Sequence, residues 1–159
     1  MIGIRGKRKA SEIFWIGASV RKVEMNPVIE KELEILWSDF NDFDVEEKLE
    51  SFERLKNSAT KDDLPQLISA LKSEKTDFWI RELLSEPISE LGGSDYLPEL
   101  FEALQKNYDD GHDNDSFCFF LVELAESEPE LCKKKLLELI DSPTFEQKDY
   151  AKWLLEFCE

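Results

Sequence analysis

Apolar positions recur at helical spacing along most of this chain. In LPQLISALKS (64–73), Leu64, Leu67 and Leu71 fall on one face of a helix. LPELFEALQK (97–106) repeats the pattern with Leu97, Leu100 and Leu104. Five of its ten positions are identical to the first stretch, at an offset of 33 residues. Pro65 and Pro98 stand early in each stretch, where a helix tolerates proline because its first N–H groups have no intrahelical acceptor. A weaker third copy, KKKLLELIDS (133–142), follows at an offset of 36, with Leu136, Leu137 and Ile140 in the places of Leu67, Ile68 and Leu71.

Each copy is followed by a second helical pattern. TDFWIRELLSEPISELGG (76–93) has Asp77 as a cap, a stripe of Ile80, Leu84, Ile88 and Leu91, and Gly92-Gly93 as a stop. Pro87 inside it predicts a kink. DSFCFFLVELAESEP (115–129) and FEQKDYAKWLLEFCE (145–159) follow the second and third copies. Upstream, NPVIEKELEILWSDF and DVEEKLESFERLKNSA make one more pair. A single pair cannot bury its apolar face, whereas stacked pairs can. A period in the thirties therefore predicts an all-α chain built as an α-solenoid of about four helical pairs.

The stretch 64–93 resembles the HEAT-repeat family: LPQLISAL as first helix, Asp77 at the turn, Ile80-Arg81 in place of that family's Val-Arg, and Leu91-Gly92 at the close. The likeness weakens through the second copy, which lacks Val-Arg, and covers roughly 64–159. It implies a right-handed solenoid in which the turn Asp and helix Arg, here Asp77 and Arg81, pair between neighbouring repeats. It also implies a binding surface rather than a chemistry.

Charge divides the chain. Residues 1–24 hold six Lys/Arg (Arg5, Lys7, Arg8, Lys9, Arg21, Lys22) against two acids, a balance of +4; the rest holds 14 basic and 34 acidic residues, a balance of −20, and together they give −16. We read 1–24 as a basic amino-terminal extension, strand-forming or loose, and 25–159 as one helical-repeat domain. Met25-Asn26-Pro27 also reads as an alternative start of translation. So acidic a body repels nucleic acid and anionic membrane and attracts basic proteins. The apolar run IFWIGASV (13–20) is short for a signal peptide and is followed at once by Arg21 and Lys22. No run approaches the ~20 apolar residues of a membrane span. Cys118, Cys132 and Cys158 are odd in number, lack a CxxC, and read as reduced thiols in a cytoplasmic protein.

Candidate chemistry concentrates in YDDGHDNDS (108–116), between the two helices of the second copy in what reads as a lengthened turn. It holds Asp109, Asp110, Asp113, Asp115 and the single histidine, His112. An EF-hand reading fails on spacing, because Gly111 precedes Asp113 and Phe120 stands where the loop's twelfth-position Glu would be. One His without a neighbouring Cys is a poor zinc set, and neither a metal nor a cofactor is expected. An acid–base pair of Asp109 and His112 would lack a nucleophile and an orienting group. The bland reading makes Asp115 a helix cap, Gly111 the turn residue and the other acids solvated. The sharper one makes the turn part of a recognition surface. It would act with Phe78 and Trp79 as exposed anchors at the start of the neighbouring helix, and with Glu82 and Glu86 on that helix.

These features favour a non-enzymatic binding protein. The concrete expectation is a bacterial immunity protein, monomeric alone and 1:1 with a basic, nuclease-type toxin domain that it occludes. A HEAT adaptor or assembly factor for another complex is the alternative. A metal- or His-dependent enzyme built on His112 is a further one, but a HEAT-like enzyme acting on DNA would need a basic groove.

Overall fold

The computed structural model describes residues 24–159 and, as backbone alone, residues 13–16 and 19–22. Those two short stretches are strands β1 (Ile13–Ile16) and β2 (Ser19–Lys22), paired antiparallel with Ile13 opposite Lys22 and Ile16 opposite Ser19. The remainder of the basic extension, with Arg5, Lys7, Arg8 and Lys9, lies outside the described residues.

From residue 24 onward the described chain is helical: α1 (Pro27–Trp37), α2 (Val45–Ser58), α3 (Leu64–Leu71), α4 (Phe78–Gly92), α5 (Leu97–Asp109), α6 (Asp115–Ser127), α7 (Pro129–Asp141) and α8 (Lys148–Leu155). Local chemistry sets the boundaries. The Asn26 side chain accepts from the Val28 amide at 3.0 Å, ahead of Pro27 in the first turn of α1. Asp44 and Glu47 form a reciprocal capping box on α2, at 2.9 and 2.8 Å. Asp77 caps α4 by accepting from the Ile80 amide at 2.9 Å. That helix ends at Gly93, whose φ of 63° suits a residue without Cβ. Pro87 is buried inside α4, which runs unbroken from Phe78 to Gly92.

The apolar stripes are where periodicity placed them. Leu64, Leu67, Leu71, Leu97, Leu100, Leu104, Ile80, Leu84 and Ile88 are all buried. In the third copy the register differs: α7 buries Cys132, Leu136 and Leu139, while Leu137 is exposed and Ile140 half-buried. The apolar run of α6 is only partly enclosed. Phe117, Leu121, Leu124 and Ala125 face inward, and Phe119 stands out at 56% exposure.

α1 packs on α2, α3 on α4, and α7 on α8; α4 also meets α5 and α6, and α6 meets α7 and α8. Polar ties join these groups. The Trp37 indole donates to Thr76 Oγ1 at 2.8 Å, and Thr76 donates to the Ala70 carbonyl at 2.7 Å. Gln66 Oε1 accepts from the Asn26 amide at 3.0 Å. Lys56 on α2 reaches Glu86 on α4 at 3.2 Å. One buried core runs from Ile29 to Cys158. Within it burial pushes the Cys132 thiol up to about 12, helped by Cys158 and Glu128, so its reactive thiolate is suppressed.

Candidate binding surface between α4 and α6

The acidic stretch after α5 is organised from within. Buried Arg81 on α4 donates to three acceptors: the Thr76 carbonyl at 2.8 Å, Asp110 Oδ2 at 2.7 Å, and Asn107 Oδ1. Asn107 is fully buried at the end of α5 and donates to the Phe78 carbonyl at 3.2 Å and to Asn114 Oδ1 at 2.9 Å. The His112 amide donates to the Asn107 carbonyl at 3.0 Å, and its ring stacks on Phe78 with centroids 3.6 Å apart. Gly111 takes the positive φ of 84° that lets the chain turn back.

This arrangement corrects several expectations. The segment between α5 and α6 is not a longer turn: it has five residues (110–114), against six (72–77) between α3 and α4. The inserted length lies in the helix. α4 begins 14 residues after α3 begins, and α6 begins 18 after α5 begins, so α5 is longer by about one helical turn. The buried Asn107 anchors that extra turn. Arg81 does not pair with Asp77, which is occupied as the cap of its own helix; its carboxylate partner is Asp110 in the next turn. Asp110 is therefore held in an ion pair. Asp115 is the first residue of α6 rather than its cap; Asn114 holds the cap position and makes no capping bond. Phe78 and Trp79 are half-buried, not exposed anchors, because His112 covers one and Phe40, 6.1 Å away, flanks the other. Asp109 is exposed on the far side and accepts from Gln105 at 2.8 Å.

Other members of the expected set do converge. Where α4 packs on α6, Trp79, Glu82, Leu83, Glu86, Ser116 and Phe120 line a cleft of about 150 Å³. Beyond Phe120 the cleft widens to about 580 Å³ between Ser89 and Glu90 of α4 and Glu123, Leu124, Glu126 and Ser127 of α6, with Glu128 just past it. Phe120 belongs to both parts, so they form one groove with an apolar middle. Glu82, Glu86 and Glu90 stand one helical turn apart along its α4 side. No Lys, Arg or His is among the residues lining either part; the nearest described cation is Lys56, on Glu86.

The electrostatics are uncomfortable. Partial burial raises the Glu82 pKa first, and the like charges of Asp113 and Asp115 raise it further. Two of the acids after α5 thus lie near enough to Glu82 to oppose its charge. The 190 Å³ hollow between α3 and α5 differs in having cations, Lys72, Arg81 and Lys106, among its lining; Lys72 pairs with Glu102 at 3.8 Å, while Glu99 Oε2 is buried without a hydrogen-bond partner. No binding role fell to Phe120, Glu90 or Glu123 on sequence grounds. The i, i+4, i+8 spacing of Glu82, Glu86 and Glu90 was the signal available for one wall; nothing in the sequence paired it with α6.

Among the described residues no three His, Cys, Asp or Glu side chains gather as a metal would require, and no helix is long and apolar enough to cross a membrane. The chain matches no protein-family model, no curated protein and no solved structure.

Proposed function

We propose that this chain is a non-enzymatic protein-binding module that takes a basic partner into the α4–α6 groove. The observation that carries the reading is the line Glu82, Glu86, Glu90 beside Phe120, without a cation in the lining. Carboxylates set along an apolar floor suit a cationic segment whose long side chains lay their stems on Phe120 and Trp79 and their charges on the walls. The scaffold reading is a right-handed α-solenoid of HEAT-like pairs. The packing of α4 on α6 and α6 on α8, with side-chain ties between successive pairs, supports it. The concrete partner is a toxin domain of nuclease type, basic because it must hold nucleic acid, bound 1:1 in the bacterial cytoplasm and blocked by occlusion. His112 acts in this reading by bracing the turn against Phe78.

The test captures the partner from the native cell, then measures its association with wild type and with a Glu82→Gln, Glu86→Gln, Glu90→Gln variant across a salt series. The expected result is a basic partner whose association with the variant is slowed roughly tenfold at low salt, with the gap closing as salt rises. Equal association rates for variant and wild type would remove the groove from the interface. A captured nuclease that loses activity on binding supports the immunity reading; a multi-protein assembly left active would replace it with the adaptor reading.

A further inference from the structure

We propose that the narrow end of the α4–α6 groove is an anchor pocket for a single arginine side chain of the partner, an inference that rests on the groove's taking cationic segments at all. Size limits the occupant first. At about 150 Å³ this end falls below the ~300–1,000 Å³ of sites that enclose whole small molecules. It matches the ~150 Å³ of a cavity that takes one benzene-sized group. One side-chain head fits there, and the wider end of about 580 Å³ is left for the segment that carries it. The walls are aromatic on both sides. Trp79 comes from α4 and Phe120 from α6, each half-buried and each steadied by a second ring. Phe40 flanks Trp79 at 6.1 Å, and Phe119 meets Phe120 edge-on at 5.6 Å.

The two carboxylates of this end are unequal. Glu86 is answered by Lys56 at 3.2 Å. Among the described residues no cation pairs with Glu82, and Asp113 and Asp115 set like charge against it. The first turns of α4 and α6 open on the pocket through Trp79 and Ser116, and each helix end carries roughly half a positive charge. The full charges of Glu82, Asp113 and Asp115 outweigh that, so the pocket draws a cation and Glu82 is its counterion. The rings decide which cation. A planar guanidinium stacks on aromatic faces, offers a carboxylate two parallel N–H groups, and is more weakly hydrated than an ammonium. A lysine ammonium is a strongly hydrated point charge that meets Glu82 from the rim without shedding its water. The wide end has no such bias. Its Glu90, Glu123, Glu126 and Glu128 are exposed and suit either cation, and Phe120 at the boundary is the sole ring among its described lining. Charge along the groove therefore sets attraction, while the narrow end sets which residue of the partner locks in.

The experiment titrates the full chain with two fluorescein-labelled peptides of equal charge at low ionic strength: nona-lysine, and nona-lysine with arginine as its central residue. Wild type is expected to bind the arginine peptide roughly threefold to tenfold more tightly. Glu82→Gln, which removes an opposed charge and so spares the fold, is expected to bring that ratio below about twofold, and Phe120→Leu to do the same. Glu90→Gln with Glu123→Gln is expected to weaken both peptides alike and leave the ratio intact. Equal affinity of wild type for the two peptides, or a ratio that survives Glu82→Gln, overturns the anchor. The Glu82→Gln, Glu86→Gln, Glu90→Gln variant separates the two levels. If wild type binds the peptides equally and this variant loses both, the groove stands and its anchor falls. If the variant binds both as tightly as wild type, the two fall together.

Discussion

Two carboxylates on inward-leaning helix faces meet opposite fates. Glu32 on α1 is 2% exposed, and burial works against its charge. Arg54 answers with two hydrogen bonds, at 3.0 and 3.1 Å, and Ser51 with one at 2.7 Å, so the group is held below the ordinary carboxylate range. Glu82 on α4 is also partly buried, yet it has Asp113 and Asp115 for neighbours and no cation, and is pushed above that range. The first arrangement joins two helices. The second stores repulsion that a bound cation would relieve. Where interior charge serves the fold in this molecule it is matched, as in Arg81 with Asp110 and Lys48 with the carbonyls of Leu36 and Ser38. Glu82 is left without a counterion and lines a groove, and a perturbed group of that kind marks a candidate site.

The comparison can be pressed hardest at Arg81. Arg81→Ala strips Asn107, Thr76 and Asp110 of their shared donor, and is expected to lower stability by roughly 3–5 kcal/mol in denaturant unfolding. Because the same residue braces the acidic turn, Phe78–His112 contacts in NMR spectra should weaken with it. A loss under about 1 kcal/mol would mean that the matched network is not what holds α4 to the end of α5.

Glu32→Ala should cost about 2 kcal/mol, the scale of hydrogen bonds to a charged group. The acid side follows from the direction of its shift. A depressed carboxylate contributes its full stabilisation above the unfolded pKa, and loses it as pH falls through the lower folded value. The stability gap between wild type and Glu32→Ala should therefore shrink on acidification below about pH 4. A constant gap would assign the effect to packing alone.

The smallest expected change has the opposite sign. Glu82 has a raised pKa, so its charged form is penalised once pH passes the unfolded value, and the penalty is complete above the folded value. Glu82→Gln should raise the melting temperature slightly at neutral pH and make no difference below both values. A lower melting temperature at neutral pH would show that Glu82 is matched after all, and would dissolve the contrast with Glu32.

Much of the helical scheme was readable because it depends on neighbours in sequence. Leu64/Leu67/Leu71 and Leu97/Leu100/Leu104 announce their faces by spacing, Asp77 stands where a cap belongs, and Pro65, Pro98 and Gly93 punctuate. The site was readable only in pieces. Glu82, Glu86 and Trp79 were singled out, while Asp110 was counted among the acids of the recognition turn and Phe120 was given no part in it. Their roles depend on which residues of another helix lie opposite, and one-dimensional spacing carries no information about that.

Periodicity and charge by themselves determined that the body is helical and that a basic end precedes an acidic remainder. Those properties are sums over residues or relations within one turn of helix. The tertiary structure decided the rest. It gave Arg81 to Asp110 rather than Asp77, because α5 carries one more turn and brings Asn107 and Asp110 beneath α4. It set α6 against α4, so that Phe120 became the floor of a groove with Glu82, Glu86 and Glu90 along one wall. Burial and dielectric are properties of the packed neighbourhood, and through them one glutamate became a tie between helices and another a charge awaiting its counterpart.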